Sequence, residues 1–293
     1  MKKYLVTTAL KVLWPKKGYI WLLTPGCDKS FGQSHSEIEY NIKGTAPNPF
    51  ESAQITRESY ADIQIITESL IKILAVRLNE IHNTAHSEQY WRIHIGFWCI
   101  LYVSVIYDRY KRLMKARSSF PDITVIGCKE ANLPITANTV DFLYEATDDL
   151  YNAHLYTFLC RKLDIPLLCF DLSKTSSEPE KLKTFYLSSS RKLIRAVLVF
   201  FIDKITLFFA KKADVLMSSS YLPRLFELAL LIKSRGKIVS IPSSIDKTVN
   251  QPPYKFIDKT ARSLLSVAPK QSDEITTLIF EMVGTCIPKL FVE

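Results

Sequence analysis

The chain has 293 residues, of which 47% are hydrophobic and 23% charged, a composition that excludes a disordered protein and supplies enough apolar side chains for a core. The formal net charge of +9 favours acidic partners, but the basic residues form only short clusters, so no nucleic-acid partner is expected. Only 8 glycines occur, and neither a dinucleotide-binding nor a P-loop motif follows any apolar run. We therefore expect no bound cofactor in this chain.

Six short apolar runs predict β-strands, and most do not alternate with polar residues, which is typical of parallel strands buried on both faces. The runs cover residues 4–10, 19–24, 123–128, 166–172, 214–218 and 238–242. Helical patterns cover residues 57–82, 87–115, 141–163, 181–210, 222–234, 254–265 and 273–286. This alternation predicts the α/β class, with a Rossmann-like, doubly wound and mostly parallel sheet. We expect a single domain over 1–293 with an irregular loop at 28–56.

Ligands of such sheets bind beyond the carboxyl ends of the strands. The loops that follow the predicted strands are 24–28, 129–134, 173–177, 218–221 and 242–244. We expect the functional residues among these loops and the helices beside them.

A phenylalanine-rich segment at 191–212 has basic residues at both of its ends. This pattern favours peripheral contact with an anionic membrane surface, and the alternative is a helix buried against the sheet or a partner. The segment is interrupted by Asp203 and Lys204, and the apolar stretch at 93–107 is shorter than the ~20 residues that a spanning helix needs. Six cysteines without a CxxC pair predict a reducing compartment, so we expect a cytoplasmic protein, peripheral at the inner membrane if the 191–212 contact forms.

An aromatic segment, Tyr90-Trp91-Arg92-Ile93-His94-Ile95-Gly96-Phe97-Trp98, is the most specific stretch of the chain. Trp91 and Trp98 fall on one helical face, where they either belong to the core or, with Tyr90, shape a substrate pocket. Arg92 brings a cation into an apolar stretch, and its planar guanidinium suits a phosphate or carboxylate. We therefore predict that Tyr90, Trp91, Arg92 and Trp98 bind substrate.

A second candidate lies at 145–152, where acids and an amide recur at helical spacing. Asp149 and Asn152 are the catalytic candidates, because such a face accepts sugar hydroxyls or acts as a base. The alternative is a solvated helix face. His82 and His86 stand four residues apart but have no clear third ligand nearby in sequence, so no metal site is expected.

Four stretches together resemble a transferase family found among spirochaete and other bacterial O-antigen and surface-polysaccharide genes. They are Tyr-Leu-Val-Thr-Thr-Ala-Leu-Lys-Val-Leu-Trp-Pro (4–15), Leu-Asn-Glu-Ile-His (78–82), His-Ser-Glu-Gln-Tyr-Trp-Arg-Ile (86–93, with Gly96 and Trp98) and Ile-Pro-Lys (287–289). The resemblance implies a glycosyltransferase-like enzyme with two Rossmann-like domains of the GT-B kind. It also implies a nucleotide-sugar donor, a polysaccharide-precursor acceptor, and family positions at Asp149 and Asn152.

The family is longer than this chain, and its second half carries a His-Gly-Gly type loop that the chain lacks. We therefore expect a truncated form, the N-terminal half, which needs a missing or separate C-terminal domain and is inactive alone. The alternative is a non-catalytic remnant or binding module that docks on a partner or an anionic membrane surface.

Overall fold

The fold is described from a computed structural model, which covers residues 2–28, 40–171, 213–218, 224–241 and 257–293. The chain forms two compact units: the first combines Met1–Ser176 with Tyr254–Glu293, and the second is Ser177–Pro253. The predicted helix at 181–210 and the predicted membrane contact at 191–212 lie outside the described residues. No helix in the described ranges is both long and apolar enough to cross a membrane.

Five parallel strands form the sheet of the first unit, in the order β3-β2-β1-β4-β5. They are β1 Lys3–Val6, β2 Tyr19–Leu22, β3 Ile42–Thr45, β4 Thr124–Cys128 and β5 Leu167–Phe170. The predicted α/β class and Rossmann-like parallel sheet are thereby confirmed. The strand order reverses its direction between β1 and β4, the kind of position at which such sheets bind ligands.

The central strands follow the apolar pattern because both faces of the sheet are covered: Leu5, Ile20 and Val125 are each 1% exposed. The edge strand β3 is different. Its residues are mostly exposed, so no apolar run marks it in the sequence, and it lies within the stretch expected to be an irregular loop.

Helices occupy the connections. They are α1 Ala53–His82, α2 Glu88–Ser119, α3 Thr139–Glu145, α4 Asp149–Lys162, α5 Arg224–Lys233, α6 Lys259–Leu265 and α7 Glu274–Cys286. Ser87 caps α2 as predicted, accepting a hydrogen bond from the Tyr90 N–H. The single helix expected at 141–163 is two, because the Asp148 carboxylate accepts from the N–H groups of Leu150 and Tyr151 and starts α4 there.

The core of the first unit lies where α1 and α2 pack on each other, with α6 against α1 and α7 against α2. Leu70, Leu74 and Trp98 are fully buried there. The Tyr102 hydroxyl donates to the Ile279 carbonyl of α7 at 2.6 Å, which satisfies a buried hydroxyl that would otherwise be costly. The segment 257–293 is thus part of this core although it follows the second unit in sequence.

In the second unit, β6 Val215–Ser218 and β7 Ile238–Ile241 pair in parallel, and α5 connects them. Gly236 has φ 80° just after α5, and its N–H donates to the Leu231 carbonyl at 2.9 Å. This left-handed conformation suits glycine and ends the helix where the sequence predicts.

Candidate active site at the carboxyl edge of the sheet

A cavity of about 650 Å³ lies at the carboxyl ends of β1, β2 and β3. The chain at the end of each of these strands lines it: Thr7 and Thr8 after β1, residues 23–27 after β2, and Thr45, Ala46 and Asn48 at the end of β3. Two helices complete the lining, α2 through Asp108, Arg109 and Arg112, and α4 through Asp149, Asn152 and Tyr156. This is the edge at which parallel α/β sheets bind ligands.

Two arginines of α2 share one carboxylate. Arg109 Nη1 lies 2.7 Å from Asp108 Oδ2, and Arg112 Nε lies 2.9 Å from Asp108 Oδ1. Burial lowers the pKa of Arg109, but the neighbouring Tyr156 and Asp108 outweigh this effect, so its pKa is raised and the guanidinium stays charged. The three side chains together carry one net positive charge.

Asn152 connects α4 to this cluster. Its Oδ1 accepts from Arg109 Nε at 3.0 Å, while its Nδ2 donates to the carbonyls of Ala146 and Asp148 at 3.0 and 2.7 Å. Arg109 Nη2 also donates to the Ala146 carbonyl, at 3.2 Å. Both side chains are therefore committed to protein partners, and Asn152 orients Arg109.

Asp149 opens α4 and joins it to the loop after β1. Its Oδ1 accepts a hydrogen bond from the Ala9 N–H at 3.1 Å. A carboxylate in the first turn is stabilised by the helix dipole. Asp149 thus lines a cavity that also contains hydroxyl groups, and the contact with the Ala9 N–H holds its carboxylate in position.

Cys27 also lines the cavity, with its Sγ 3.6 Å from Thr24 Oγ1. Burial raises the pKa of the thiol, and hydrogen bonds from Thr24 and Leu23 offset this only in part. Cys27 is buried in the hydrophobic core cluster, and a neutral thiol is a poor nucleophile, so we expect it to contribute to packing.

The four predicted substrate-binding residues lie elsewhere. Arg92 donates two bonds of 2.6 Å to the Glu68 carboxylate and one of 2.8 Å to Glu88. These hydrogen bonds raise the pKa of Arg92, and the bonds from Arg92 lower the pKa of Glu68. The guanidinium is thus paired by two carboxylates.

Trp98 is fully buried and stacks on Tyr102 with ring centroids 4.9 Å apart. Trp91 donates from Nε1 to Asn79 Oδ1 at 2.9 Å, and Tyr90, 39% exposed, stacks on His86 with centroids 4.0 Å apart. None of Tyr90, Trp91, Arg92 and Trp98 lines the cavity, and their role in binding substrate stays a prediction.

Comparison with known families gives a match to the LIC12162 family transferases over residues 3–293, nearly the whole chain. The chain belongs to the LIC12162 transferase family. This confirms a transferase family, as the motifs indicate. No curated protein and no solved structure matches the chain.

In this LIC12162 family transferase, the catalytic candidates Asp149 and Asn152 line the cavity together with the loop at 24–28, and their role stays a prediction. The sequence analysis did not single out Asp108, Arg109 and Arg112, which line the same cavity. A signal was present: these charges stand at spacings of one and four residues, just where the apolar stretch of α2 ends. Within the described ranges, no group of three or more histidine, cysteine or acidic side chains is placed to hold a metal ion.

Proposed function

We propose that the cavity is the substrate site of a glycosyltransferase-like enzyme that acts on a surface-polysaccharide or O-antigen precursor. The observation that carries the proposal is the composition of the cavity: hydroxyl, amide, carboxylate and guanidinium groups converge at the carboxyl edge of a Rossmann-like sheet. Such a mixture suits a ligand with many hydroxyl groups, because each hydroxyl both donates and accepts hydrogen bonds.

Asp149 is the residue that we assign to the reacting hydroxyl. In the transfer, the acceptor oxygen forms a bond to the transferred group, the leaving group departs with its bonding electrons, and Asp149 takes the acceptor proton. The bond from the Ala9 N–H orients one carboxylate oxygen for this role. Asn152 acts as a positioning residue, since its amide holds Arg109.

The family resemblance supports a nucleotide-sugar donor and an acceptor-side role for this chain, with a separate C-terminal domain completing the enzyme. All six cysteines are free thiols, which supports a cytoplasmic site of action. The surface contact at 191–212 stays a prediction.

The test is complementation in the organism that carries the gene. A deletion strain receives the wild-type chain, Asp149→Asn, or the control Asp122→Asn, which alters an exposed carboxylate away from the cavity. We expect the wild type and the control to restore the surface-polysaccharide profile, and Asp149→Asn to fail at equal protein level. An unchanged profile in the deletion strain would overturn the polysaccharide role. Full restoration of the profile by Asp149→Asn would contradict the role of Asp149 as the base and favour a non-catalytic binding module.

A further inference from the structure

We propose that Arg112 binds an anionic group of the substrate, a phosphate or a carboxylate, and so selects a charged sugar derivative over a neutral sugar. The inference rests on the proposed function, because it takes the cavity as the substrate site. It adds the class of substrate and the residue that recognises it.

The two cavity arginines differ in how far their nitrogens are occupied. Arg109 uses all three, to Asn152, Asp108 and the Ala146 carbonyl. Arg112 uses only Nε, which donates to both oxygens of Asp108 at 2.9 and 3.0 Å. Within the part of the chain that the structure describes, its two terminal nitrogens make no hydrogen bond or ion pair.

Arg112 is nevertheless fixed in place. The Asp108 carboxylate accepts hydrogen bonds from its Nε, and the guanidinium lies over the ring of Phe50, with 5.5 Å between the guanidinium carbon and the ring centroid. The side chain is 24% exposed and lines the cavity. Its terminal donors are thus presented in one orientation before any ligand arrives, which reduces the entropy lost on binding.

The chemistry of this arrangement matches an oxyanion. Two parallel N–H donors of a guanidinium fit two oxygens of a phosphate or carboxylate. Asp108 pairs with both arginines and Asp149 lines the cavity from α4, so the preference for an anion rests on the terminal donors of Arg112 and not on the net charge of the lining. The hydroxyls of Thr7 and Thr8, 8% and 4% exposed, lie in the same cavity and suit the neutral part of a sugar.

Arg92 is a weaker candidate for this role. Its guanidinium already makes three short bonds to Glu68 and Glu88, and an anionic ligand would have to displace these carboxylates. Arg112 requires no such exchange.

Calorimetric titration of the full chain tests the proposal with three probes: glucose 1-phosphate, glucuronate and glucose. We expect the wild type to bind at least one of the two anionic probes about tenfold or more tightly than glucose, since a charge-assisted pair contributes ~1.5–3 kcal/mol. Arg112→Gln should remove that preference, whereas the surface control Arg77→Gln should keep it. Which probe binds better tells a phosphate from a carboxylate ligand.

Arg112→Lys serves if the glutamine variant does not fold, because lysine keeps a positive charge beside Asp108 but lacks the guanidinium fork. We expect it to weaken binding of the anionic probe at least threefold. Unchanged binding in both Arg112 variants, loss in Arg92→Gln instead, or no saturable binding of either anion by the wild type would overturn the proposal.

Two further variants separate this inference from the proposed function. If Asp149→Asn or Thr8→Val weakens probe binding while Arg112→Gln does not, the cavity remains the substrate site and only the role of Arg112 is wrong. If none of the cavity variants changes binding of a probe that the wild type binds, both proposals fail.

Discussion

Arg109 Nε donates to Asn152 Oδ1 at 3.0 Å, and this contact joins α2 and α4, which are far apart in sequence, beside the cavity. The same amide satisfies two carbonyls near the start of α4. One side chain therefore fixes both the cationic wall of the cavity and the helix that carries Asp149.

The first prediction is that Asn152→Ala destabilises the first unit by ~1–3 kcal/mol, because it leaves Arg109 Nε without its acceptor and removes one of the two donors to the Ala146 carbonyl in a part-buried site. Urea unfolding followed by circular dichroism measures this. Asn132→Ala is the matched control, since the Asn132 amide is exposed and bonds only to Glu130 at 3.0 Å. Equal midpoints for the two variants would contradict the positioning role of Asn152.

The second prediction concerns the ion pair of Arg262 and Glu293, whose side chains are 5% and 7% exposed. Glu293→Gln leaves a buried guanidinium without its counter-charge, and we expect a loss of ~3–5 kcal/mol in the free energy of unfolding. The control is Glu281→Gln, which breaks an exposed pair with Lys162 and should cost at most ~1 kcal/mol. A smaller loss for Glu293→Gln than for Glu281→Gln would show that the buried pair does not anchor the segment 257–293.

The third prediction is that Cys169 is alkylated first. It is the exposed cysteine, whereas the other five are buried, and burial raises the pKa of Cys160 and Cys286 to about 12. Because the thiolate is the reactive form, brief iodoacetamide treatment at pH 8 should modify Cys169 alone, and treatment in urea all six. Peptide mass spectrometry reads out the sites. Equally fast labelling of Cys27 would indicate an activated thiol in the cavity and contradict its packing role.

The fourth prediction is a loss of stability at alkaline pH. Burial, and then the bond that its hydroxyl donates to Asp62 at 2.7 Å, raise the pKa of Tyr107 to about 12. The unfolded value is about 10, so the stabilisation is present in full below that pH and is lost as the pH rises from about 10 to 12.

Thermal midpoints recorded across this range test the fourth prediction. The thermal midpoint of Tyr107→Phe should decrease less steeply with rising pH than that of the wild type. Other buried tyrosines still contribute part of the pH dependence. Tyr144→Phe is the control, because its ring is 70% exposed, and it should follow the wild type. Parallel curves for all three proteins would count against the Tyr107 contribution.

The sequence predicts most of the sheet because β1, β2, β4 and β5 are apolar runs. Burial on both faces requires that composition in the central strands, whereas the edge strand β5 is apolar but partly exposed. It does not predict β3, whose exposed residues carry no apolar signal. It also predicts one helix in place of α3 and α4, because an aspartate such as Asp148 occurs both on a solvated helix face and at the N-cap of a new helix.

The candidate site, like the sheet, is predicted by the sequence only in part. Helical spacing places Asn152 and Asp149 near each other, and both line the cavity. Arg92 contacts Glu68, 24 residues earlier, whereas the terminal nitrogens of Arg112 have no partner among the described residues. This difference depends on how α1 and α2 pack. A periodic pattern contains no information on which of two arginines finds a second carboxylate.

The discontinuous first unit has a consequence for biosynthesis. Among the residues that the structure describes, those that line the cavity all lie before position 157, so they leave the ribosome early. The core beneath them is completed only by α7 and the Arg262–Glu293 pair, which are synthesised after the whole second unit. The face around Tyr102 stays uncovered until the segment 257–293 has been synthesised, and we expect chaperones and proteases to compete with folding during that interval.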